Sequence, residues 1–257
     1  MVRFWSDDMK ERPILFSGAM VQAILRGDKT QTRRVCKSQP YPNGFKFDGR
    51  EILCHTDYLP PSTMLMGVKR GGLEYTTSDA EGWESECPYG QEGGRLWVRE
   101  TWKPGSWRDD GRVAIDYAAS PELTHTPWLR PTNFETLRVW WENELMHAGS
   151  IPDAHGVHHW EPGKSPMHWR PSIHMPRWAC RIVLEITDVR VERLNDISHE
   201  DAIAEGCGGQ GWKVSDDRAP VIYPCNQFAE LWDSINAKRA PWASNPYVWA
   251  LTFRRAE

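Results

Sequence analysis

The chain predicts an α+β fold, a mixed β-barrel with flanking helices and long irregular insertions. Three observations carry that expectation. Residues 180–194 (CRIVLEITDVRVERL) alternate apolar and charged side chains for almost their whole length, the period of a long half-buried strand, and residues 246–255 (PYVWALTFRR) read as a terminal strand. Helices with recognisable caps sit between strands at irregular intervals. The regular strand–helix alternation of a doubly wound sheet is missing. With 257 residues, we expect a single domain over 1–257, with insertions at about 38–90 and 120–176.

Each element has its own signal. Residues 14–16 read as a short strand, and the helix after them starts at Ser17 as N-cap. Met20, Val21, Ile24 and Leu25 form its apolar stripe, and Gly27 sits where a C′ glycine belongs. The chain then becomes extended, with Thr30, Thr32 and Arg34 on one face and Arg33 and Val35 on the other. Residues 38–94 are punctuated by Gly and Pro, although REILCH (50–55) and GLEYTT (72–77) could pair as strands. Residues 93–102 (GGRLWVRETW) are a turn feeding a strand, and residues 112–119 form the next strand. One helix is expected at 133–149, with Phe134, Leu137, Val139, Trp141 and Leu145 facing inward. Residues 196–206 form a short helix with Ser198 as N-cap, Asp201 as its acidic N3 partner and Gly206 as its stop. Residues 224–237 form another, with Phe228, Leu231, Trp232 and Ile235 turned to the core.

Bulk properties narrow the function classes. With 31 basic against 35 acidic residues, no global field announces a nucleic-acid backbone partner, so anion recognition must come from local clusters. The six cysteines lie far apart without a C-x-x-C, which argues against a zinc module or a disulfide scaffold. No window approaches the ~18 apolar residues of a membrane span, and residues 1–13 lack an apolar signal core, so the expectation is a cytoplasmic protein with no membrane partner. Fifteen tryptophans supply large flat surfaces, useful in cores and as base-stacking platforms.

The run RGDKTQTRRV (26–35) places a lysine, two threonines and two arginines directly after an apolar helix. Its Gly27-x-Lys29-x-x-Thr32-x-Arg34 pattern resembles the signature of ASCH domains, a branch of the PUA-like β-barrel superfamily associated with RNA and nucleobase chemistry. ISHEDAIAEGC (197–207) is similar to the acidic helix that follows the family's long strand, and GGRLWVRETW is a weaker match. The resemblance implies a PUA-like (ASCH) barrel. It also points to one ASCH group, the amidohydrolases that deacylate N4-acetylcytidine, whose catalytic lysine, threonine and glutamate fall on Lys29, Thr32 and Glu205. Many ASCH sequences have glutamate where Thr32 stands.

Amide hydrolysis needs a nucleophile, a proton acceptor that later donates, and donors for the developing oxyanion. Lys29, Thr32 and Glu205 can fill these roles with no metal and no cofactor. Either Thr32 attacks with Lys29 as base, or Glu205 activates water while Lys29 and Thr32 hold the carbonyl oxygen. In both, Glu205 is the candidate donor to the leaving nitrogen. Arg33 and Arg34 are candidate cations beside Lys29 and candidate substrate contacts, Arg34 alternatively serving as a carboxylate's partner. Trp97, Glu100 and Tyr89 complete the substrate-binding candidates. Trp97 and Glu100 stand at i and i+3 on one strand, so a regular strand sends them to opposite faces. Tyr89, Trp97 and Trp102 are candidate stacking platforms, against the plainer reading that each is core. His155, His158, His159, His168 and His174 suggest metal by spacing, but Pro152, Gly156 and Pro162 break the helix such spacing would need. Arg170 and Arg177 in WRPSIHMPRW could meet a phosphate or carboxylate. The leading expectation is an N4-acylcytidine amidohydrolase acting on a small modified nucleoside; a non-catalytic reader of RNA or modified nucleobases and a ribonuclease are the alternatives.

Overall fold

The computed structural model describes residues 11–37, 39, 46–47, 50–55, 63–69, 83–120, 128–155, 157–161, 163–208 and 223–256. It is a mixed α+β protein whose residues group into two compact units. One comprises Met1–Arg12, Arg26–Leu96 and Leu184–Glu257; the other comprises Pro13–Leu25 and Trp97–Val183.

The first unit is built on a sheet of order β1 (Glu11–Leu15), β7 (Arg95–Arg99), β10 (Val183–Arg193), β11 (Tyr247–Arg255), β2 (Gln31–Val35); β1 and β7 begin in this unit and run out of it. β11 pairs antiparallel with both β10 and β2. The registers Arg190↔Ala250↔Arg33 and Glu192↔Val248↔Val35 put these six residues on one face, whereas Thr32, Arg34, Leu251 and Trp249 lie on the other. β11, flanked by β10 and β2, is buried on both faces from Val248 to Leu251. The first face is covered by α3 (His199–Ala204) and α4 (Pro224–Asn236) over an apolar cluster of Leu194, Ile197, Ala202, Phe228, Trp232 and Val248. Both caps of α3 are as expected: Ser198 Oγ accepts the Asp201 N–H at 3.1 Å, and Gly206 has φ 94°. Ile235, expected inside, is 56% exposed, because Phe228 and Trp232, one turn apart, define the buried stripe of α4.

The expected barrel does not close. The sheet ends on β1 at one side and β2 at the other, and beside β2 lies α3, where closure would need another strand hydrogen-bonded along the edge. The stretch expected to be irregular also differs: β3 (Lys46–Phe47), β4 (Arg50–His55), β5 (Thr63–Lys69) and β6 (Trp83–Glu86) form an antiparallel meander. REILCH pairs there with β5; GLEYTT lies outside the described residues.

In the second unit, α1 (Gly18–Arg26, its last residue in the first unit) begins where Ser17 Oγ accepts the Met20 N–H at 3.4 Å, and Gln22 Nε2 donates to Ala119 O at 2.9 Å. β8 (Trp102–Trp107) and β9 (Val113–Tyr117) form a hairpin with a bulge between Pro104 and Ser106. That bulge lets a proline and a glycine sit in a strand, and a β-carbon at Gly105 would stand 2.4 Å from Asp116 Oδ1. Helix α2 (Phe134–His147) buries Phe134, Trp141 and Leu145 against Trp102, Ile115, Tyr117 and Met175. Val139, expected inside, is 56% exposed, since the buried stripe follows positions 134, 141 and 145 and turns it outward. Among the described residues, no helix is long and apolar enough to cross a membrane.

Trp141 packs its ring 5.4 Å from that of Trp107. Trp141→Ala is expected to lower stability by about 3–5 kcal/mol, and Val139→Ala by no more than about 0.5 kcal/mol; urea unfolding of both variants checks the assignment of the α2 core face.

Candidate functional site

Backbone punctuation fixes Lys29. Gly27, with φ 83°, stops α1 in a conformation glycine adopts without strain, and the chain turns toward β2. Thr30 is then held from both sides: its N–H donates to Ala204 O, at the end of α3, at 2.8 Å, and its carbonyl accepts from Phe253 N at 2.9 Å. Lys29 is thereby delivered to the C-terminal end of α3, where helix carbonyls lack intrahelical donors. Its Nζ donates to Glu205 O at 2.8 Å and to Glu205 Oε2 at 2.6 Å. This ammonium–carboxylate pair joins residues 176 positions apart, with side chains 1% and 4% exposed.

Arg33 backs the pair from the covered face of the sheet. Its Nη1 donates to Glu205 Oε1 (3.3 Å) and Gln31 Oε1 (3.2 Å), Nη2 to Asp201 Oδ2 (2.9 Å) and Nε to Glu192 Oε1 (2.6 Å), with its guanidinium 5.8 Å from the Phe228 ring centre. Arg190 reaches Asp201 and Glu192 as well. Lys29, Arg33 and Arg190 thus face Glu192, Asp201 and Glu205, and Arg190 also reaches the half-buried Asp188 at 3.3 Å, so three positive charges meet four negative. Burial pushes the Asp201 carboxyl up, but hydrogen bonding from Gln31 and the charges of Arg190 and Arg33 outweigh it and hold the carboxyl below its ordinary range. With its side chain fully buried and four of its five N–H groups committed internally, Arg33 positions Glu205.

Thr32 is 3% exposed and lies on the opposite sheet face from Arg33. Among the described residues the side-chain contacts of Lys29 and Glu205 are with each other and with Arg33, not with Thr32. Arg34 shares that face; burial lowers its pKa, opposed by charge interactions with Tyr89 and Glu205. Tyr89 is half-buried in the same unit. The sequence candidates Lys29, Glu205 and Arg33 are therefore in direct contact, and charge links Arg34 to Glu205 and to Tyr89.

The remaining candidates belong to the second unit. Glu100 is 1% exposed and held by Arg181 through two 2.8 Å hydrogen bonds; Arg181 also donates to Ser120 Oγ and lies over the Tyr117 ring. Trp97 is half-buried with the Arg99 guanidinium 5.3 Å from its ring centre. Trp102 is a core residue, and Arg170 stacks on it while binding Glu144 at 2.6 Å. Among the described residues, no group of three or more His, Cys, Asp or Glu side chains is placed to hold a metal ion. His159 pairs with Asp153, and His158 with Ser150.

No protein-family model, no curated protein and no solved structure matches the chain. What it does must be read from its own chemistry.

Sequence reading did not assign Asp201, Glu192 and Arg190 to this cluster. The available signal was the i, i+2 placement of Arg190 and Glu192 on the charged face of β10, the face shared by Arg33. Arg33→Met is expected to cost about 3–5 kcal/mol, since it strands buried carboxylates. A carboxyl whose folded-state pKa is depressed stabilises above its unfolded value, about 3.9 for aspartate, and loses that contribution as pH falls through the folded value. The stability difference between wild type and Asp201→Asn is therefore expected to be full at pH 7 and to narrow below about pH 4, as measured by denaturant midpoints across that range.

Proposed function

We propose that this protein is a metal-free, ASCH-type amidohydrolase of PUA-like ancestry that removes the acyl group from N4-acylated cytosine or cytidine in the cytoplasm. The observation that carries the reading is the buried Lys29–Glu205 pair, with a direct 2.6 Å proton path between amine and carboxylate and with the buried Thr32 three residues from Lys29 in sequence.

In this reading Thr32 Oγ1 attacks the amide carbonyl carbon. Lys29 first yields a proton to Glu205 across their shared hydrogen bond, and the amine so freed takes the proton of Thr32 as the C–O bond forms. The Lys29 N–H that Glu205 does not hold stabilises the oxyanion. Glu205 then protonates the exocyclic nitrogen as the C–N bond breaks, releasing the cytosine amine and leaving an acyl ester on Thr32. Water, deprotonated by the same pair, hydrolyses the ester and releases the carboxylic acid. Arg33 keeps the Glu205 carboxylate aimed at Lys29, and Arg34 and Tyr89 contribute contacts to the nucleoside.

Deacylation of N4-acetylcytidine changes the cytosine chromophore, so ultraviolet absorbance follows the reaction. Wild type is expected to turn over, and Thr32→Val, which keeps shape but loses the hydroxyl, to lose about a hundredfold or more in kcat/KM with its thermal melt little changed. Absence of turnover by folded wild type, together with salt-sensitive retention of an oligonucleotide, would replace this reading with that of a nucleic-acid binder. Full activity in Thr32→Val would remove the acyl-enzyme route.

A further inference from the structure

We propose that Cys225 and Cys207 form a redox-modifiable thiol pair, in which His199 activates Cys225 toward a low-molecular-weight disulfide and Cys207 resolves the product into an internal bond. Cys225 is the second residue of α4, after Pro224, at the end of the helix where backbone N–H groups favour negative charge. Its Sγ lies 3.6 Å from Nδ1 of the exposed His199, and the edge of Tyr223 flanks that imidazole with ring centres 5.7 Å apart. The thiol is half-buried, and among the described residues the carbonyls of Ile197 and Ser198 also stand near it, at 3.8 and 3.6 Å. Of these neighbours only the imidazole can carry the proton away.

Cys207 comes from the turn that ends α3 and packs in the same apolar cluster as Cys225. The next residue fixes the approach of the two segments: a β-carbon on Gly208 would stand 3.3 Å from Pro224 Cγ, and the Gly208 N–H donates to Gln227 Oε1 at 2.9 Å. Burial, then the nearby negative charge of Glu205, pushes the Cys207 thiol up to about 11 against the opposing charge of Lys29. Its buried state makes it a poor first attacker and a suitable second one, once a mixed disulfide is held beside it.

The steps balance. His199 takes the Cys225 proton; the thiolate attacks one sulfur of R–S–S–R, breaking that bond, and the departing thiolate leaves as RSH with the proton from His199. Cys207 then attacks the Cys225 sulfur, displacing a second RSH. Two protein thiols are oxidised and one external disulfide is reduced to two thiols. Nothing in this chemistry requires the amide-hydrolysis reading.

The test treats the folded full-length protein with oxidised glutathione, followed by alkylation and mass mapping without reductant; Cys36, Cys87 and Cys180 serve as internal comparators. Wild type is expected to yield a Cys207–Cys225 linked peptide, two hydrogens lighter than its parts. Cys207→Ser should stop at a glutathione adduct on Cys225, Cys225→Ser should leave Cys207 unmodified, and His199→Ala should slow adduct formation about threefold to tenfold. An adduct on Cys225 that never resolves in wild type, a wild-type rate in His199→Ala, or equal modification of Cys207 in Cys225→Ser would each overturn the proposal.

Discussion

The burial of Arg33 is the constraint around which the first unit is arranged. A guanidinium removed from water must be neutralised and have its N–H groups accepted, and a single carboxylate does neither fully. Here Glu192 comes from β10, Asp201 from within α3 and Glu205 from its end, so satisfying one side chain on β2 requires three segments to arrive together. Lys29 and Arg190 add the positive charge that these carboxylates need beyond Arg33. Replacing such a cluster with apolar side chains can be as stable, so its retention is better explained by what it fixes than by net energy. It fixes the orientation of one carboxylate, Glu205, against one ammonium.

Short-range backbone features complete that placement. The turn at Gly27 and the two-sided anchoring of Thr30 determine where Lys29 emerges, and the terminal carbonyls of α3 supply acceptors that a helix interior would not. The bulge in β8 shows similar economy in the second unit. Pro104 cannot donate to a ladder and Gly105 cannot fill space, yet together they permit the Asp116 carboxylate to approach the backbone.

Much of this was legible in the residues. Alternation over 180–194 marked β10, and Ser198, Gly206 and Gly27 marked helix ends, because period and caps are local and local rules decide them. Strand parity correctly separated Thr32 and Arg34 from Arg33 and Val35. What parity cannot show is what covers a face, so the charged row of β10 gave no sign that α3 would lie over it. For the same reason Val139 and Ile235 were placed inside although their helices turn them outward. The bulge at Pro104 and Gly105 depends on the partner strand, and open sheet ends depend on what packs beside them, so neither follows from local rules. Lys29 and Glu205 were joined through motif resemblance; spacing alone could not have linked them, while Asp201, read as a cap partner, proved also to be an ion partner.

Among the described residues β2 pairs with β11 alone, and the partners Val35 and Val248 stand 213 positions apart in the chain. During vectorial synthesis β2 therefore waits, with the Arg33 guanidinium hydrated, until β11 has emerged. Such distant pairing slows folding, and a product that stops short of β11 lacks the strand to which β2 is hydrogen-bonded.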